Sequence, residues 1–266
     1  MKGRFYTGPF LVALVLSLCG CSVKEDRTLA PTDFRLDARE YIPKAGEIGV
    51  SLYRKADGAE TNTAVADHQK MAEPFRVEKV MKGDYLWAVW DRGSGVRPDG
   101  AVLVYPETVD RMIWASGGFV SAMLERTDVT ARPHRQCSTL HVRVNSPKMS
   151  IAGREMTLVS TARGLDLRSM EAVSGRKETK VTVGPDHCFT VMLPRQCDYL
   201  QVLTMTADGG YDIDLDLGGA LYDAGFSWFE DDLSDVDVTV DLRSLEVRVD
   251  VKPWISGYER EHDFFQ

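Results

Sequence analysis

The stretch Val236-Asp237-Val238-Thr239-Val240-Asp241-Leu242, followed after Arg243-Ser244 by Leu245-Glu246-Val247-Arg248-Val249-Asp250-Val251, decides how the chain is read. Apolar and polar residues alternate with a period of two through both runs, the signature of strands with one face on a core and the other in water. The apolar set occupies even positions in the first run and odd positions in the second. A two-residue hairpin at Arg243-Ser244 would oppose Asp241 to Glu246 and Asp237 to Asp250, and like charges directly opposite one another are unfavourable. The expectation is therefore one long strand with a bulge near Arg243-Ser244 that exchanges its faces.

The same alternation recurs upstream. Tyr211 to Leu217 alternates strictly, Leu140, Val142 and Val144 share one face, and Met156–Val159, 180–183, 187–193 and 199–206 are further strand candidates. Towards the N-terminus, Ile48, Val50 and Leu52 share a face, and Tyr85-Leu86-Trp87-Ala88-Val89-Trp90 is a β-branched and aromatic run between Gly-rich turns. No helix longer than about three turns is expected, and no sequence repeat is visible. Thr127 to Gln136 is polar, contains Pro133 and lacks the alternation, which places a boundary there. The fold class expected is all-β, with two tandem antiparallel β-sandwich domains over 45–130 and 131–266.

The N-terminus reads differently. Lys2 and Arg4 precede an apolar run from Phe10 to Leu18, and Leu18-Cys19-Gly20-Cys21 closes it. A basic start, a short apolar run and small residues before a cysteine describe a lipoprotein signal of residues 1–20, too short to span a bilayer. Cys21 is then the lipidation site, and residues 21–44, with the charge-dense Val23-Lys24-Glu25-Asp26-Arg27, form a lipidated tether. Buried acyl chains at about 0.8 kcal/mol per methylene hold such a protein to its membrane.

The chain has 266 residues and a net charge of −8, which becomes −10 once Lys2 and Arg4 leave with the signal. So acidic a surface disfavours nucleic acid as a partner. Of five cysteines, Cys137, Cys188 and Cys197 remain after Cys19 and Cys21 are set aside, and Cys188 with Cys197 is the disulfide to test first. No metal or cofactor site is expected. The Asp212/Asp214/Asp216 row and the Glu230-Asp231-Asp232, Asp235, Asp237 group lack the glycine and glutamate of a calcium loop and read as solvated faces. No Gly-x-Ser-x-Gly or His-Glu-x-x-His is present, so no enzyme and no catalytic residue is expected. The tryptophans Trp87, Trp90, Trp114, Trp228 and Trp254 leave a glycan-binding surface lipoprotein as the alternative; the spacing of Trp87 and Trp90 turns one of them to the core and the other away.

Cys21-Ser22-Val23-Lys24-Glu25-Asp26-Arg27 after the lipid signal, the Asp84-Tyr85-Leu86-Trp87-Ala88-Val89-Trp90 strand, and a last alternating strand ending in Pro253-Trp254 together resemble the fimbrillin-associated anchor lipoproteins, base subunits of fimbriae in Gram-negative anaerobes. The resemblance implies two transthyretin-like β-sandwich domains, attachment to the outer membrane through lipid, and a role in holding the fimbrial shaft and limiting its length. It implies shaft subunits as partners, joined by strand addition, and no catalysis. Where the family often has Cys-Pro-Cys, this chain has Leu29-Ala30-Pro31. Ser22 after the lipidated cysteine, by resemblance to lipoprotein sorting rules, suggests delivery to the outer membrane.

Overall fold

The computed structural model describes residues 30–146, 150–207 and 210–254. The signal, Cys21 and the start of the tether lie outside the described residues. Strand accounts for 55% and helix for 6%, which makes the fold all-β.

The first strands are β1 (Asp33–Asp37), β2 (Glu47–Arg54), β3 (Glu60–Asp67), β4 (Phe75–Val77) and β5 (Gly83–Asp91). After them come β6 (Arg97–Asp99), β7 (Val102–Val104), β8 (Trp114–Ala122), β9 (Arg126–Thr130) and β10 (His134–Arg135). Next are β11 (Cys137–Asn145), β12 (Glu155–Asp166), β13 (Ala172–Thr182) and β14 (Cys188–Pro194). The last are β15 (Val202–Thr206), β16 (Asp212–Asp216), β17 (Asp235–Asp241) and β18 (Glu246–Lys252). The longest helix among the described residues is Leu217–Asp223, capped by the Asp216 side chain on the Gly219 N–H.

Two sheets ordered β4-β1-β9 and β10-β8-β5-β2-β3 enclose one core around Phe34, Leu36, Ile48, Leu52 and Val89. Two more, β14-β11-β17-β18 and β16-β15-β12-β7-β6 with β13 on the other side of β12, enclose a second around Leu140, Leu158, Leu203, Trp228 and Val238. Pairings are antiparallel except β1 with β9 and β11 with β17, which are parallel. The two halves repeat one topology. β1 lies between β4 and β9 as β11 lies between β14 and β17, and the ladder β3-β2-β5-β8 corresponds to β13-β12-β15-β16. Strand β18 is an addition to the second copy, and the outer side of β9, its equivalent place, carries no strand among the described residues.

Several expectations are corrected here. Residues 32–41 are not tether: β1 is a central strand, with Phe34 and Leu36 fully buried. With only two apolar positions between Asp33, Arg35 and Asp37, its alternation is too brief to stand out. The boundary window 127–136 contains β9 and β10 rather than a linker. Residues 97–104, assigned to the first half, form the β6–β7 hairpin that joins the second half's sheet, Gly164 to Asp166 pairing with Val104 to Val102.

The final alternating run is a hairpin and not a bulged strand. Asp241 pairs with Glu246 and Asp237 with Asp250, the register that charge repulsion argued against. Antiparallel partners share a face, so the even and odd apolar sets form one stripe, Val236, Val238 and Val240 opposite Val251, Val249 and Val247. The Lys252 ammonium bonds Asp250 and lies 3.5 Å from Asp237, placing a cation between the two carboxylates.

A third core seals the halves together: Tyr53, Ala88, Trp90, Leu103, Tyr105, Ile113, Cys137 and Leu165 are all buried in it. It covers the face of β2 and β5 that alternation assigns to water. Hence part-buried Trp87 packs on the first core, and Trp90, 6% exposed, is covered by the third rather than turned to water as the spacing predicts. Gly49 leaves room for the Trp90 ring, since a Cβ there would lie 2.4 Å from it.

Candidate functional site

The junction between the halves carries most of the molecule's buried charge. Strand β10 delivers His134 and Arg135 to it with Gln136 directly after, and the loop that brings Trp228 to Ser234 leads into Asp235, the first residue of β17. Arg135, 3% exposed, grips the Asp235 carboxylate with both guanidinium nitrogens, Nη2–Oδ1 being 2.6 Å and Nη1–Oδ2 3.3 Å. The Thr139 N–H donates to the same carboxylate at 2.9 Å, and the Arg135 guanidinium lies 4.3 Å from the Trp254 ring centroid. Burial alone would raise the Asp235 pKa, but the Arg135 bonds and charge outweigh it and hold the group below its ordinary value. Asp232 is set in the same way: burial opposes its charge, while the His134 ring and the Arg135 N–H, at 3.1 and 2.7 Å, lower its pKa. In return the Asp232 bond raises the His134 pKa above 6.5.

Arg195, just past β14, donates to no carboxylate among the described residues. Its Nε donates to Gln136 Oε1 at 2.7 Å, Nη1 to the Trp228 carbonyl, and Nη2 to the carbonyls of Glu230 at 2.6 Å and Asp231 at 3.1 Å. A buried guanidinium therefore fixes the path of the 228–231 loop. Trp228 points inward with no exposure, and Phe229 beside it is 72% exposed. A cleft of about 650 Å³ opens here, lined by both halves, with Met170, Glu171, His134 and Phe229 among its walls. Ser116 also lines it, but its hydroxyl is 2.8 Å from the Tyr41 hydroxyl, so Ser116, His134 and Asp232 are not joined as nucleophile, base and acid.

The residues singled out in the sequence are dispersed. Cys21 lies outside the described residues. Cys188 and Cys197 are free and stand at opposite ends of β14, a span of about 20 Å at 3.3 Å per residue, where a disulfide needs Cα atoms within about 7 Å. The expected bond is thus absent, because a straight strand separates two cysteines that are close in sequence. Asp212 and Asp214 accept from Thr206 and Thr204 at 2.8 and 2.7 Å, and Asp216 caps the helix, so the row does not converge. Trp114 lies under the Lys44 ammonium, and Trp228 and Trp90 are interior, so Trp90 and Trp228 are not available to the sugar-stacking alternative. Sequence reasoning missed Arg135, His134 and Arg195. Their partners lie between 33 and 100 residues away, and no local pattern links them.

The second feature is the outer edge of β9, which pairs with no strand among the described residues. Thr127 and Val129 point inward, Arg126 and Asp128 outward, and Met123 and Leu124 just before the strand are 52% and 71% exposed.

Two copies of one seven-stranded sandwich, sealed by a shared core, make an all-β fold that recurs among solved structures. No protein-family model matches the sequence, and no curated protein matches it. The fold is similar to that of the fimbrial anchor protein Mfa2 from Porphyromonas gingivalis, with a TM-score of 0.61 at 14% identity, over 86% of this chain and 98% of that one. It is similar also to a candidate polysaccharide-binding protein from Bacteroides thetaiotaomicron, with a TM-score of 0.60 at 12% identity over 86% and 99%. A candidate adhesin from the same organism gives 0.55 at 11% identity over 84% and 96%. Such likenesses establish the shared fold.

Proposed function

We propose that this protein is the membrane-anchored base subunit of a fimbrium, lipidated at Cys21, that holds the shaft to the outer membrane and limits its length. The observation that carries the reading is the place beside β9, which no strand among the described residues fills. The second half fills the equivalent place with β18, so the first half is one strand short of its sister. Unpaired edges are normally blunted by charge, proline or a covering loop, because they accept foreign strands. Two exposed apolar residues, Met123 and Leu124, lead into the β9 edge, whose own outward side chains include the Arg126–Asp128 ion pair. A shaft subunit adding a strand antiparallel to β9 would gain backbone hydrogen bonds and bury those side chains. The lipid signal at Leu18-Cys19-Gly20-Cys21 and the likeness to a fimbrial anchor support the same reading.

A photo-crosslinking residue at Asp128, whose side chain is exposed, tests it in fimbriated cells. The expected result is an adduct with a shaft subunit from position 128 and none from Glu178 on the far edge strand β13. Adducts from neither position, or equally from both, would remove the β9 edge from the account.

A further inference from the structure

The cleft at the junction is expensive to maintain. Arg195 is 7% exposed, burial lowers its pKa, and its donors end on carbonyls and an amide rather than on an anion. Burying a cation without an ion pair costs stability. That expense fixes the 228–231 loop in a form that puts a phenylalanine ring into water, which opposes stability again. Departures of this kind from the stable choice concentrate at functional sites.

What the arrangement presents is specific. Glu171, Glu230 and Asp231 line the cleft, are exposed, and make no ion pair or side-chain hydrogen bond among the described residues. The exposed Phe229 ring and Met170 provide apolar wall between them. The buried Arg195 has its donors already spent on Gln136 and the loop carbonyls, and His134, whose pKa is raised, is held by Asp232. His134 bonds Asp232 through Nδ1, and its Nε2 has no hydrogen-bond partner among the described residues. The volume of about 650 Å³ falls within the range of sites that take small ligands or short chain segments.

The geometry points to a second contact surface: the junction cleft receives a lysine or arginine side chain on an extended segment of a protein partner. The aliphatic stem of such a residue lies along Phe229 and Met170, and its charged head meets the acidic rim. The net charge of −8 over the whole chain draws a basic segment towards it. This surface is separate from the β9 edge, and it takes the shaft subunit as partner from the proposed anchoring role.

The test uses the full-length protein, purified in detergent, as bait for a random peptide display library, with a Glu171→Gln/Glu230→Gln/Asp231→Asn triple variant and Phe229→Ala as counter-baits. All four side chains are exposed, so thermal unfolding of both variants should match wild type. Selected peptides should carry a shared Lys or Arg, bind the triple variant about tenfold more weakly, and weaken as salt is raised. Peptides without a basic residue, or binding unchanged in the triple variant, would overturn the inference. Neutral oligosaccharide binding that is lost in Phe229→Ala and kept in the triple variant would overturn it too, marking a sugar site. Shaft-subunit capture is measured in parallel. Equal capture by wild type and triple variant keeps the anchoring role and overturns the cleft as its contact. No capture by wild type overturns the anchoring role and leaves the peptide result to judge the cleft.

Discussion

Arg135 and Asp235 meet across 100 residues of sequence in a two-toothed ion pair, 2.6 Å at its shorter contact, with Arg135 buried and Asp235 one-third exposed. The pair is asymmetric in its dependence. Removing Asp235 strands a buried cation, which costs roughly 3–5 kcal/mol. Removing Arg135 leaves a carboxylate that water can still reach. Asp235→Ala should therefore lower unfolding stability more than Arg135→Ala, as read by urea titration with matched slopes. The reverse order would mean that Trp254 stacking, and not the ion pair, dominates at Arg135.

The seam between the halves should be intolerant of a single methyl group. A Cβ on Gly117 would fall 2.8 Å from Met170 Cγ and Sδ and 2.8 Å from the Trp87 carbonyl. Gly117→Ala should cost about 1–3 kcal/mol. Adding Met170→Ala should recover only part of this, because the backbone contact to Trp87 remains. Gly46→Ala, where nothing lies within 4 Å, should be neutral or slightly stabilising in the same assay.

The His134–Asp232 contact predicts a pH window. The His134 pKa is raised, first by the Asp232 hydrogen bond, so its contribution is complete below about pH 6.5 and is lost as pH rises through the folded value. The Asp232 pKa is lowered: burial pushes it up, but the His134 and Arg135 bonds prevail. Its contribution is complete above about pH 3.8 and is lost as pH falls through the folded value. The stability gap between wild type and His134→Ala should be widest between these limits and should narrow on the alkaline side. A gap independent of pH would contradict the pairing.

All three cysteines of the described residues should react as free thiols. Alkylation in denaturant without reductant should label Cys137, Cys188 and Cys197. In the native protein Cys137 should resist, because it is buried and its pKa is pushed up to about 12. Mass spectrometry of the two digests reads both outcomes, and a Cys188–Cys197 crosslinked peptide would refute the strand geometry.

The strands of the second half were legible because Leu140, Val142 and Val144, or Ile213 and Leu215, alternate against charged neighbours. Legibility failed where a strand is covered on both faces. β2 is buried from Ile48 to Tyr53, and no period-two rule distinguishes the face on the first core from the face on the third. It failed again at β17–β18, where the charge argument was sound for Asp237 and Asp250 alone but omitted Lys252, which is brought beside them only by the hairpin itself. The junction cleft was illegible for a related reason. Arg195 and Gln136 are 59 residues apart, and neither residue type in its own setting signals a buried network.

The proposed fastening of a fimbrium to the cell is tested most directly by the distribution of fimbrial antigen between cells and medium in wild-type, deletion and Cys21→Ala strains. Deletion should move fimbriae from cells to medium, and the Cys21→Ala protein should be shed along with them. Fimbriae that are expressed and stay on the cells of the deletion strain at the wild-type proportion would contradict the account.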